Sequence, residues 1–114
     1  MSKPLSYKYT GTKGHIVDVA SSLPKTGNEL LAMGWEEISD PRAAATGHHT
    51  YREPDTGLRI RFDEAIPGAD GFAGINHYHI LNPDAHNNRD MYLDANGNPV
   101  SKNSKASHIL PREE

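Results

Sequence analysis

Polar and apolar positions alternate with a period of two over residues 58–63, where Leu58, Ile60 and Phe62 are separated by Arg59, Arg61 and Asp63. That pattern predicts a half-buried strand with its apolar side chains on a core and its charges on the opposite face. Thr50-Tyr51-Arg52 precedes it across Glu53-Pro54-Asp55-Thr56-Gly57. Proline presets a turn there and glycine tolerates a positive φ, so the two segments read as a hairpin. The same alternation returns in Gly74 to Pro83, GINHYHILNP. Ile75, His77, His79 and Leu81 share one face of that strand, and Asn76, Tyr78 and Ile80 the other. Two imidazoles therefore stand side by side, either as an acid–base or ligand pair or as polar groups on a solvated sheet face.

Around these strands the pattern is shorter and more mixed. His15 to Ala20, HIVDVA, reads as a strand or a first helical turn. Thr26-Gly27-Asn28-Glu29 has capping-box spacing, and Leu30, Leu31 and Met33 follow before Gly34, so a short helix is predicted, with Trp35 packing just beyond it. Residues 41–47, PRAAATG, read as a weak helix or a loop, with His48-His49 at the hairpin entrance as a loop or cap pair. Residues 66–74 hold three glycines and a proline and form a mobile connection of the kind that borders sites. Residues 84–90 are a polar loop, residues 91–100 a second hairpin, and 107–110 a short closing strand stopped by Pro111. The domain plan is a flexible lead over 1–13 and a single domain over 14–114. The fold class is α+β, with short N-terminal helices on a small twisted antiparallel sheet.

Composition narrows the chemistry. The chain has 114 residues, 35% of them hydrophobic, enough for one core. Mean hydropathy is −0.72, and no apolar run approaches the roughly 18–20 residues of a membrane span, so no membrane insertion is expected. There is no cysteine, which excludes disulfides, thiolate metal sites and a cysteine nucleophile. Net charge is −3, so any polyanion site must be a local cationic patch rather than a basic surface.

If the hairpin strand and the histidine strand share a sheet, one face gathers His77 and His79 with Arg59, Arg61 and Asp63. The last segment adds Ser107 and His108, preceded by Lys102 and Lys105. Cleavage of RNA without metal needs a base for the 2′-hydroxyl, an acid for the leaving 5′-oxygen, and cations for the charged phosphorane. All three types are present. The alternative reading of the arginines is a solvated strand face.

Several motifs carry a resemblance. His77-Tyr78-His79, Asn82-Pro83, Tyr92-Leu93-Asp94, Gly97-Asn98, Val100, Lys102, Ser104 and Ser107-His108-Ile109 together resemble the C-terminal toxin domains of bacterial polymorphic toxins. These include effectors of contact-dependent growth inhibition and Rhs-type toxins. Leu23-Pro24-Lys25, Gly34-Trp35, Phe62-Asp63 and Pro67-Gly68 extend the likeness over roughly residues 22 to 111. Lys102-Asn103-Ser104 departs from the Lys-Gly-Ser that similar toxins often have. The resemblance implies a barnase-, EndoU- or colicin-like fold and an antibacterial ribonuclease acting on tRNA, delivered as part of a larger effector into the target-cell cytoplasm. It implies His77, His79, His108 and Ser107 as catalytic, with His79 or His77 as base and His108 as acid in either order. Arg59, Arg61, Lys102 and Lys105 then bind substrate. No cofactor is implied. The expected partners are tRNA and a cognate immunity protein, with room for a host activating factor. Because the chain is net acidic, that immunity interface is expected to be shaped more by fit than by steering.

Two rival classes stay open. A metal-dependent DNase of the His-Asn-His type would use His77, His79 and His86 with Asn87, but it needs a ββα unit, and residues 87–94 show no helical period. A binding module without chemistry would use His-x-His for a structural or transport metal.

Overall fold

A computed structural model describes residues 9–112 of the chain. The N-terminal lead expected over 1–13 lies mostly outside those residues. Its described end is tied down: Thr10 donates its amide to Thr56 O at 2.8 Å, and Tyr9 packs on the core. Thr12 caps a first helix, α1 (Lys13–Ala20), by accepting the His15 amide on its side chain at 3.1 Å. The cap decides the ambiguous HIVDVA stretch in favour of helix, since it satisfies an amide that would otherwise have no partner.

The chain continues through α2 (Glu29–Ala32), β1 (Glu36–Glu37), α3 (Pro41–Ala45), β2 (His48–Arg52), β3 (Arg59–Asp63), β4 (His77–Leu81), β5 (Tyr92–Leu93) and β6 (Pro99–Val100). Single 3₁₀ turns lie at Gly71–Gly74 and Lys105–Ser107. Glu29 reaches back to the Thr26 amide at 3.1 Å, the reciprocal half of the expected capping box. Gly34 closes α2 at φ +97°, where a side chain would be strained. Proline at the first position of α3 and Asp40 accepting from Arg42 N at 2.8 Å turn the weak PRAAA pattern into one helical turn and a half. His48 and His49 are not a loop pair. Both belong to β2, because pairing with β3 extends to His48 opposite Asp63.

The six strands form one antiparallel meander in chain order, which gives an α+β domain. Its core face carries Tyr51, Ile60, Phe62, Tyr78, Ile80 and Leu93, and Ile16 and Val19 of α1, Leu23 of the connection, Leu30 of α2 and Trp35 pack upon it. Tyr78 is fully buried and donates its hydroxyl to Pro24 O at 2.7 Å, pinning the helical layer to the sheet. No helix of the described residues is long and apolar enough to cross a membrane.

The tail departs from the closing strand expected over 107–110. Residues 105–107 make a 3₁₀ turn, and only Ile109 pairs, exchanging both backbone bonds with Tyr78 at 2.8 Å. β5 takes the edge of β4 at Ile80 and Leu81, so the tail fits beside it on the free half of the same edge. Arg112 N then bonds to Leu23 O at 3.0 Å. Two isoleucines of this segment differ in what they contribute to stability. Ile80→Ala, in a fully enclosed position on β4, should cost about 2–5 kcal/mol in urea unfolding, whereas Ile75→Ala, about half exposed just before β4, should stay within about 0.5 kcal/mol. Equal losses would contradict this difference in burial.

Candidate active site

Register builds the site. β3 and β4 pair Arg61 with His79 and Asp63 with His77, and β2 sets His48 opposite Asp63. Side chains paired across an antiparallel ladder share a face, so His48, Arg61, Asp63, His77 and His79 all project from the side away from the core. Ile109 faces the core opposite Tyr78, so its neighbour His108 turns to the other side and meets the two strand histidines. The ring centroids of His77, His79 and His108 lie 4.8 to 5.0 Å from one another.

This face is not the solvated one that an isolated His-x-His suggests. His77 is 5% and His79 3% exposed. Tyr92 stacks on His79 at 4.5 Å, and Phe72 stacks on His108 at 4.2 Å. Phe72 arrives on the 3₁₀ turn, which lies in the glycine-rich connection that was expected to border a site. Gly74 is required in it, since a Cβ there would run into the Ala69 carbonyl oxygen.

Asp63 holds the polar groups together. Arg61 grips its carboxylate with two bonds, Nε to Oδ1 at 2.9 Å and Nη2 to Oδ2 at 2.8 Å, and His48 Nδ1 donates to Oδ1 at 2.9 Å. His77 Nε2 stands 3.3 Å and His79 Nε2 3.5 Å from Oδ2. Burial alone would raise the Asp63 carboxyl, but hydrogen bonding with His77, His79, Arg61 and His48 overcomes this and holds it well below the usual carboxylate range.

The two strand histidines respond in opposite directions. Burial pulls both down. At His77 the Asp63 carboxylate and the Ile75 carbonyl, which accepts from Nδ1 at 2.8 Å, outweigh burial and raise the imidazole above its ordinary value. At His79 burial prevails, helped by the nearby Arg61 and His77 charges, and the ring is held below its ordinary value. Environments that push neighbouring groups apart in this way suit one to hold a proton and one to lack it.

These groups open into a cleft of about 400 Å³ lined also by Lys102, Glu64, Ile66 and Asn103. Of the residues expected from sequence, His77, His79, His108, Arg61 and Lys102 come together there. Ser107 does not reach the cleft. It is fully buried, and its hydroxyl donates to Ser104 O at 2.8 Å, beneath His108. Arg59 shares the arginine face but pairs with Arg52 at the far end of β3, and Lys105 sits exposed on the 3₁₀ turn; neither lines the cleft. His86 is also outside it, with an 82% exposed side chain bonded to Asp90, and the segment around it forms turns without a helix, so no ββα unit is made. His48, Phe72 and Tyr92 belong to the site but were not read as such. The period-two pattern, run back from Thr50, would have found His48.

Comparison with protein-family models, with curated proteins and with solved structures found no match for this chain.

Asp63 sets the sign of two pH effects. A raised His77 stabilises the fold fully below about pH 6.5 and loses that contribution as pH rises through its folded value, while the depressed Asp63 stabilises above about pH 3.9 and loses it as pH falls. Removing the charge with Asp63→Asn should lower the titration midpoints of both His77 and His79 in proton NMR of the metal-free domain. Unmoved midpoints would refute the carboxylate as their common partner.

Proposed function

We propose that this domain is an endoribonuclease that cleaves tRNA by transesterification, without a metal. The observation that supports it is the convergence of His77, His79 and His108 from strand and tail upon one cleft that also holds Arg61 and Lys102. Hydrogen bonding suggests the roles. The Ser104 carbonyl accepts from His108 Nδ1 at 3.0 Å, so Nδ1 carries the proton and a neutral His108 offers a bare Nε2. His77 has acceptors at both nitrogens, Ile75 O and Asp63, and is the ring suited to be charged.

His108 Nε2 then takes the proton of a ribose 2′-hydroxyl, and the 2′-oxygen attacks the adjacent phosphorus. As the bond from phosphorus to the 5′-oxygen breaks, His77 gives that oxygen a proton. The products are a 2′,3′-cyclic phosphate and a 5′-hydroxyl. Arg61 and Lys102 stabilise the charge on the phosphorane. His79, Asp63 and Ser107 are positioning residues.

On this reading the fold is of the barnase, EndoU or colicin type, and the domain is the C-terminal toxin of a polymorphic effector that acts in the target-cell cytoplasm. An immunity protein would block the cleft. The test is cleavage of total tRNA in excess chelator with the end groups analysed. Activity should persist in chelator and leave cyclic phosphates; His108→Ala should lower it by about 10²–10⁴-fold with the melting curve little changed, and His77→Ala should lower it as far with some loss of stability, because His77 is buried against Asp63. Activity that appears only with a divalent metal, or that survives both substitutions, would overturn the reading.

A further inference from the structure

We infer that His77, His79 and His108 also form a binding site for a divalent transition cation of the zinc type, and that filling it switches the proposed ribonuclease off. Each imidazole has at least one nitrogen held by an oxygen acceptor, and His77 has both, since its Nε2 also stands 3.3 Å from Asp63 Oδ2. His77 Nδ1 donates to Ile75 O at 2.8 Å, His108 Nδ1 donates to Ser104 O at 3.0 Å, and His79 Nε2 faces the Asp63 carboxylate at 3.5 Å. This is the arrangement that orients metal-binding histidines, in which a carbonyl or carboxylate holds one ring nitrogen and the other turns to the ion. The ligand atoms are then Nδ1 of His79, Nε2 of His108 and Nε2 of His77, the last on giving up its proton and its contact with Asp63.

Nδ1 of His79 carries the argument furthest. It is buried, in a side chain 4% exposed, and among the described residues it has no hydrogen-bond partner. A buried ring nitrogen without a partner is costly, and a cation seated between the three rings would satisfy it. One ring nitrogen from each histidine already lies within 4.8 Å of the other two. Tetrahedral zinc with bonds of about 2.0–2.1 Å needs nitrogens about 3.3 Å apart, so the rings must close by an ångström or more. His108 can supply that movement, since it is carried on a tail held to the sheet by a single residue pair. Three imidazole ligands without a thiolate or a carboxylate favour zinc, copper, nickel or cobalt over magnesium or calcium.

The consequence for catalysis rests on the reading above. A cation on Nε2 of His77 and His108 occupies the atoms that would give and take the proton, so bound metal and metal-free transesterification exclude each other.

The test uses the whole chain, stripped of metal, titrated with zinc chloride by calorimetry and with cobalt chloride by visible absorption. One ion per chain should bind, with cobalt giving the intense bands of tetrahedral nitrogen ligation. His79→Ala and His108→Ala should each weaken binding by at least about tenfold, and His86→Ala should leave it unchanged. The partly exposed His108 guards against loss of fold at the buried His79. Zinc should stop tRNA cleavage and chelator restore it. No binding, binding indifferent to both substitutions, or activity raised by zinc would each overturn the inference. Should the metal-free domain prove inactive on RNA, the ribonuclease reading and the switch fall together, while calorimetry still decides the site.

Discussion

A buried carboxylate governs this molecule. Asp63 is 6% exposed, and a charge so placed costs several kcal/mol unless its neighbours compensate for the lost water. Four side chains do so, with Arg61 and His48 on one side and His77 and His79 on the other. The same contacts turn the rings: with Asp63 charged, the nitrogens that face it are the ones that carry protons. Stability and chemistry thus depend on one charge. The surroundings of Asp63 are held by paired strands rather than by loops.

The sheet makes that compatible with a small core. A period of two divides β3 and β4 between two environments, with Ile60, Phe62, Tyr78 and Ile80 under the helices and Arg61, Asp63, His77 and His79 on the cleft side. Covering the second face falls to segments distant in sequence. The glycine-rich connection brings Phe72, β5 brings Tyr92, and the tail brings His108. The tail reaches its place through one residue pair, Tyr78 with Ile109, so the catalytic reading and the metal reading share a dependence on that short seam.

How much of this was legible follows from the range of the interactions. The alternation of Leu58, Ile60 and Phe62, and the common face of His77 and His79, are local and were readable. So were the turns at Gly34, Gly57 and Gly97, each with the positive φ that glycine permits. The helix over HIVDVA was not decided by its β-branched residues, because the deciding group is Thr12, a cap lying in a stretch that reads as a loose lead. Ile75 and Leu81 on the histidine face imply that part of it must be covered, but what covers it was not readable, since the cover comes from Phe72, Tyr92 and the tail. Ser107 was chosen for its hydroxyl beside His108, and that hydroxyl does lie 3.4 Å from His108 Nδ1, but a 3₁₀ turn buries it against Ser104 O, outside the cleft.

The protonation pattern of the three rings is the most direct measure of the central claim, that oxygen acceptors fix which nitrogen of each imidazole meets the cleft. A long-range nitrogen–proton correlation spectrum of the metal-free domain near neutral pH reads it ring by ring. The account predicts that the neutral form of His108 carries its proton on Nδ1 and is bare at Nε2, and that His77 keeps its second proton to higher pH than His79 does. A neutral His108 protonated at Nε2 and bare at Nδ1, or a His77 that loses its second proton before His79 as pH rises, would contradict it.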